Sequence, residues 1–349
     1  MKVDKVILAS PRGFCAGVEK AINALAWMVR IFPPPVYCYH EIVHNQLVVA
    51  TFTRVGVIFV QDVADVPVGA PVMLSAHGSP PEVIAEARRQ GGTVIDAVCP
   101  LVTKVHHEIR TRAKKGYRIV YIGHRGHEEA VGAVAEAPAS VDFVETIADV
   151  EALAIDERPV ALLAQTTLAV PEWSNLADRT KERLGEVWMP GRSDLCYATT
   201  NRQAAVIEIA PRLDALVVIG SENSSNTRAL VRVASSHGVP RVLRVNSDEE
   251  LPDDLTGTVG ITAGASAAED IVVRVVERLD PRDGVETVRA VEEDEFFPAP
   301  PELRELLNGL ACAGALLLDK EAPVDVGLHD DARGALAELS VEPAWVPSL

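Results

Sequence analysis

The feature that most constrains this chain is a unit written three times. VMLSAHGSPPEVIAEARRQ begins at Val72, IVYIGHRGHEEAVGAVAEA at Ile119 and LVVIGSENSSNTRALVRVA at Leu216. Each is an apolar run of strand length, a turn rich in Gly, Ser and His, then a stretch whose apolar residues recur at helical spacing. A looser set repeats the grammar: VYCYHEIVHNQLVVA from Val36, VALLAQTTLAVPEW from Val160 and VGITAGASAAEDIVV from Val259. Strands alternating with helices build parallel sheets covered by helices, so the fold class is α/β. The intervals are uneven, which argues against a solenoid and for three related lobes.

A third set fixes the lobe size. VILASPRGFCAGVEKAI, TVIDAVCPLVTKVHHEI and SDLCYATTNRQAAVIEI place Cys15, Cys99 and Cys196 each just before a helix, 84 and 97 residues apart. Boundaries near 99 and 195 give lobes over 1–99, 100–195 and 196–291, with the N-terminal strand packed centrally. Parallel sheets bind ligands beyond the carboxyl ends of their strands. The expectation is therefore three pseudo-symmetric lobes with small parallel sheets around one central site, each giving it a cysteine tip and two polar tips. From Glu292 the sequence turns rich in Pro, Ala, Leu and acid and loses this grammar. Residues 292–349 read as a C-terminal extension with one or two short helices and no legible role.

Charge and cysteine usage narrow the function. With 33 basic and 50 acidic residues the net charge is −17, which disfavours nucleic acid and anionic lipid as partners but not a small anion in a donor-rich pocket. The longest apolar run, near 310–318, is too short to span a bilayer, and Met1–Pro11 lacks a signal peptide's apolar core and cleavage site. The expectation is a cytoplasmic protein without a membrane partner. Five cysteines in such a chain argue against a disulfide framework and leave buried thiol, metal ligand or nucleophile.

Taken singly, Cys15, Cys99 and Cys196 read as well as buried thiols; no CxxC pair signals zinc. Their equivalent places before three helices favour ligation, because a helix N-terminus stabilises thiolate. Three thiolates would leave one iron of a [4Fe–4S] cluster open. Cys38, in the apolar VYCY, reads as core, and Cys312 lies in the extension. His44, His77 and His127 sit in matching polar turns and suit either metal or anion. Ser224, Ser225, Asn226 and Ser266 are poor metal ligands but good donors to phosphate oxygens at helix starts. His40, His106, His107, His124, His237 and His329 read as capping or packing residues. Glu129 offers a carboxyl for proton delivery or a simple first-turn acid; Thr166 and Thr167 offer a substrate hydroxyl contact or a cap. No Walker motif and no GxGxxG supports nucleotide or nicotinamide binding.

From residue 3 to 290 these motifs resemble the 4-hydroxy-3-methylbut-2-enyl diphosphate reductase (LytB/IspH) family. The resemblance rests on PRGFCAGVEKAI, HEIVHN, SAHG, DAVCPLVTKVH, GHRGHEE, AQTTL, LCYATTNRQ, GSENSSN and TAGAS, in that order. It implies a three-lobed α/β fold and one oxygen-sensitive [4Fe–4S] cluster per chain on Cys15, Cys99 and Cys196. His44, His77, His127, Ser224, Ser225, Asn226 and Ser266 would hold the substrate diphosphate, with Thr166 at the substrate hydroxyl and Glu129 as proton donor. The implied reaction is the last step of the methylerythritol phosphate route, giving isopentenyl and dimethylallyl diphosphates, with ferredoxin or flavodoxin as electron donor. Such carriers are acidic, so a local basic patch is expected near the cluster. Glu128 stands where the family commonly has Pro, and Ser10 where Asn is frequent. A cluster-dependent dehydratase is the competing enzyme; an iron–sulfur sensor or carrier leaves the donors unused, and a metal-free diphosphate-binding module leaves the cysteines unused.

Overall fold

The computed structural model describes residues 2–191, 193–318 and 332–340; His329 lies outside them. The described residues of Met1–Cys15 and Leu101–Glu295 form one compact unit, those of Ala16–Pro100 and Phe296–Leu349 another. β1 (Lys2–Ser10) opens the chain and α1 (Ala16–Ile31) follows Cys15. Next come β2 (Val36–Tyr39), α2 (Gln46–Arg54), β3 (Val57–Val60), β4 (Val72–Leu74), α3 (Pro81–Arg89) and β5 (Val94–Asp96). These strands form one parallel sheet in the order β3-β2-β4-β5.

The pattern then recurs. α4 (Pro100–Lys114) leads into β6 (Arg118–Ile122), α5 (Glu128–Ala135), β7 (Val141–Val144), α6 (Ile147–Ala152), β8 (Val160–Ala164), α7 (Val170–Leu184) and β9 (Val187–Trp188). Their parallel sheet runs β7-β6-β8-β9. α8 (Tyr197–Ile209) leads into β10 (Ala215–Ile219), α9 (Ser225–Ser236), β11 (Val242–Val245), β12 (Thr256–Ala263), α10 (Glu269–Leu279) and β13 (Val285–Arg289). The third sheet runs β11-β10-β12-β1-β13.

In all three sheets the first strand of the lobe lies inside the second and next to the third. The fourth place in the third sheet is filled by β1, parallel to β12 and β13. The N-terminal strand, grouped in sequence with residues 1–99, is thus hydrogen-bonded into the sheet of residues 215–289. A strand with Val6, Ile7 and Ala9 buried on both faces pairs wherever a sheet leaves a buried slot, and that partner is not written in the strand itself.

Strands such as β8 and β10 are apolar and buried along their whole length, as strands covered by helices on both faces are. On β10, Leu216 and Val218 pack with Val206, Ile209, Leu230 and Val233 of α8 and α9. Val217 and Ile219 point the other way, onto Ile271, Val272 and Val275 of α10, the period of two expected of a strand. α4 likewise packs Val105 and Ile109 against Ile119 and Tyr121 of β6. So α4 and α8, the helices that follow Cys99 and Cys196, each pack on the strand that comes next in the chain.

The extension supplies α11 (Pro301–Leu317) and α12 (Ala332–Ser340). α11 packs against β5, the edge strand of its sheet, and α12 against α1 and α2. Covering an open edge removes a template for unwanted strand pairing. No helix among the described residues is long and apolar enough to cross a membrane.

Candidate active site

The three cysteines occupy equivalent backbone positions. Each is the residue before a helix, α1, α4 or α8. Each donates its backbone N–H to a carbonyl two residues past the third strand of a lobe. Cys15 bonds Ala265 at 3.1 Å, Cys99 bonds Ala76 at 3.0 Å and Cys196 bonds Thr166 at 3.0 Å. The repeated grammar of the sequence is therefore a repeated hydrogen bond, joining the cysteine tip of a lobe to a polar tip.

Cys196 caps α8, its Sγ accepting the Thr199 N–H at 3.2 Å and lying 3.0 Å from the Thr199 hydroxyl. The helix start was expected to favour thiolate. Burial outweighs it: desolvation, with the neighbouring Cys15 adding to it, pushes the Cys196 thiol up to about 12 against the two Thr199 donors.

Glu129 lies in the first turn of α5 and is 3% exposed. His127 caps that helix, its Nδ1 accepting the Glu129 N–H at 3.2 Å. Glu128 takes the first helical position, where proline's missing N–H does no harm and an acid complements the dipole; the helix is regular with glutamate there. The Glu129 carboxylate accepts the Thr166 N–H at 2.6 Å and the Thr166 hydroxyl at 3.1 Å. Burial pushes its pKa up to about 7, the Thr166 donors opposing and the Asp194 carboxyl reinforcing the shift. A buried carboxyl that titrates near neutrality can both hold and release a proton.

Beside this pair lies a donor cluster. Ser224 caps α9, and Ser224, Ser225, Asn226 and Ser266 are all buried. The Asn226 amide donates to the Thr199 hydroxyl at 3.3 Å and its oxygen accepts the Ala265 N–H at 3.2 Å. Gln165 Nε2 donates to Ser225 at 3.2 Å and to Thr167 at 2.8 Å.

In the other unit, His44 and His77 stack with ring centroids 3.9 Å apart and 14° between planes. His44 Nδ1 lies 3.4 Å from Glu41, and His77 Nδ1 lies 3.4 Å from the Ser75 hydroxyl. The Cys99 loop of that unit is braced by the Lys20 amine, which donates to the Val98 carbonyl at 2.8 Å. Burial lowers the Lys20 pKa and raises that of Asp96, and Glu302 of α11 adds its charge to both.

Several residues act here that the sequence did not single out. His124 has Nδ1 3.3 Å from the Ser225 hydroxyl and Nε2 3.0 Å from Glu172, so it orients Ser225 rather than merely packing. Gln165 also accepts the His124 N–H at 2.9 Å. Thr199 joins the Cys196 thiol to Asn226. The available signals were the first histidine of GHRGH, the glutamine before TTL and the threonines after LCYA, residues that work through a neighbour. His106 and His107 both lie on α4; His106 is buried, 2.8 Å from Glu136.

The sequence profile of the LytB protein family matches residues 6–280. A 4-hydroxy-3-methylbut-2-enyl diphosphate reductase of Cutibacterium acnes is 44% identical over 307 residues, 86% of this chain and 95% of that protein. The solved E-1-hydroxy-2-methyl-but-2-enyl-4-diphosphate reductase of Plasmodium falciparum superposes with a TM-score of 0.85 at 30% identity, covering 89% of this chain and 99% of that one. A second solved structure, of an (E)-4-hydroxy-3-methyl-but-2-enyl diphosphate reductase described as the terminal enzyme of the non-mevalonate pathway, gives 0.59 at 30% identity, covering 80% and 99%.

Proposed function

The chain belongs to the LytB protein family, and from that premise we propose that it reduces 4-hydroxy-3-methylbut-2-enyl diphosphate to isopentenyl and dimethylallyl diphosphates, as an iron–sulfur oxidoreductase. The observation that carries the reading is the buried Glu129 carboxyl, bonded twice to Thr166 and titrating near neutral pH. Reductive loss of an allylic hydroxyl consumes two electrons and two protons, releases water and leaves an allyl carbon to protonate. Glu129 would hold such a proton in a dry setting, and the Thr166 hydroxyl, bonded to it, would share a substrate hydroxyl with it.

Cys15, Cys99 and Cys196 fit a [4Fe–4S] cluster with three protein ligands. All three lead helices in equivalent backbone settings, and ligation would require the Cys196 thiol, which burial keeps protonated, to release its proton as the metal binds. When bound, such a cluster supplies electrons one at a time and a Lewis-acidic iron for the alcohol oxygen. His44, His77, His127, Ser224, Ser225, Asn226 and Ser266 would bind the diphosphate. The buried hydroxyls and amide at the start of α9 support this, with backbone N–H groups and the helix dipole aimed the same way. His124 and Gln165 keep Ser225 oriented. The electrons would come from a ferredoxin or flavodoxin, and the chain would work in the cytoplasm.

The test is anaerobic purification with iron and sulfide analysis, then substrate and a chemical reductant. The reading expects about four irons and four sulfides per chain and both products. Cys99→Ser should lose the cluster, and Glu129→Gln should keep iron yet lose turnover. Unchanged iron in the first variant, or wild-type reduction by the second, would remove those assignments. Water release without consumption of reductant would favour a dehydratase.

A further inference from the structure

Each cysteine-led helix carries a long basic side chain about one and a half turns beyond its cysteine: Lys20 on α1, Lys104 on α4 and Arg202 on α8. None holds the loop of its own cysteine. Lys20 is buried, and its amine donates to the Val98 carbonyl, the residue before Cys99. Lys104 pairs at 3.6 Å with Asp194, two residues before Cys196. The second Asp194 oxygen accepts the Ala164 N–H at the end of β8, at 3.1 Å. Arg202, 1% exposed, donates to the Gly13 carbonyl at 2.8 and 3.1 Å and to that of Phe14 at 3.3 Å, the two residues before Cys15. Glu293 balances its charge at 3.1 Å.

The helix after Cys15 thus holds Cys99, the helix after Cys99 holds Cys196, and the helix after Cys196 holds Cys15. For Lys20 and Arg202, which are buried, a cation is costly unless its donors are used, and an apolar side chain would fill the same volume more cheaply. Lys and Arg are the side chains that reach a loop carbonyl or carboxylate from a helix flank and make several bonds on arrival. The repeat in all three lobes makes accident a poor account.

We propose that Lys20, Lys104 and Arg202 are positioning residues, each fixing the loop that presents the cysteine closing its own lobe. The inference rests on the reading of those cysteines as ligands of one cluster, where loosely held loops would make a poor site. The three residues touch no substrate in this scheme; they act through the carbonyls and carboxylate before each ligand.

Backbone hydrogen exchange on the full chain, as purified anaerobically and again after iron removal, tests it. The Cys15, Cys99 and Cys196 amides are all hydrogen-bonded and so report local opening. Lys20→Met should speed exchange about tenfold at Cys99, Lys104→Met at Cys196 and Arg202→Met at Cys15, each sparing the cysteine on its own helix. Arg202→Lys should restore part of the protection. Acceleration confined to the substituted helix, or none, overturns the proposal. Lys104 is the most exposed of the three, so if the other variants do not fold, exchange at Cys196 in Lys104→Met decides alone. Wild-type iron content, measured on the same samples, reports on the cluster reading separately: the exchange pattern stands or falls in the iron-free chain whether or not iron binds.

Discussion

Replacing Glu129 by Gln removes one titrating proton from a place where burial sets its cost. The carboxyl is 3% exposed, and burial pushes its pKa from 4.5 up to about 7. The folded value is the higher one, so the folded chain binds the extra proton between those limits. The stability that this proton contributes is complete below about 4.5 and is lost as pH rises through about 7. The whole interval is worth about 3 kcal/mol, of which about 1.4 kcal/mol disappears between about pH 6 and about pH 8.5. Glutamine keeps the shape: its oxygen can accept the Thr166 N–H and its amide can donate to the Thr166 hydroxyl. It has no proton to lose. Urea unfolding of both proteins across that range should therefore show Glu129→Gln gaining about 1.4 kcal/mol on the wild type as pH rises, while its turnover is absent throughout. A difference independent of pH, or one moving the other way, would show that the carboxyl is not held neutral by burial and would refute the account of its proton.

Three further outcomes follow from the same contacts. Thr166→Val removes the hydroxyl donor to Glu129, so the carboxyl pKa rises further and the basic limb of the kcat/KM profile moves up by about one pH unit; a downward move would contradict the hydrogen bond's role. His124→Phe removes one partner of the Ser225 hydroxyl and leaves it Gln165; it should raise KM for the diphosphate about tenfold with kcat little changed, and an unchanged KM would remove His124 from the orienting network. Deleting residues 1–10 takes out the strand between β12 and β13, so limited proteolysis should open 215–289 while 36–96 stays protected; equal cleavage in both would show that β1 is dispensable to its sheet.

Local chemistry made much of the molecule legible. Turns rich in Gly, Ser and His marked the strand tips, and cysteines before helical patterns marked three equivalent positions, because caps and turns are written in a few adjacent residues. Long-range choices were not legible. KVDKVILAS reads as a strand in any sheet, and only the vacancy between β12 and β13 decides where it goes. His124, Gln165 and Thr199 escaped notice because they touch Ser225, Asn226 and the Cys196 thiol rather than an outside partner. The helix-start argument for thiolate at Cys196 named a true effect of the wrong size: a cap with two Thr199 donors does not offset the desolvation of the sulfur.

The pairing of β1 with β12 and β13 and the crossed cysteine clamps have one cause. A lobe begins with the helix after a cysteine and ends with the next cysteine: α1 through Cys99, α4 through Cys196, then α8 onward. The last of these contributes β10 to β13, and β1 with Cys15, from the far end of the chain, enters between β12 and β13 to make a sheet of five. Counted this way, Lys20, Lys104 and Arg202 each join the first helix of a lobe to the cysteine loop that closes it. Reading from the first residue instead groups β1 and Cys15 with residues 16–99, although β1 pairs with β12 and β13, and makes the same contacts look like ties between lobes. The compact unit that starts at Ala16 and takes in residues up to Pro100 follows the helix-first count. A chain that repeats strand, tip and helix does not say where its repeat begins; the side chains that close each repeat on itself do.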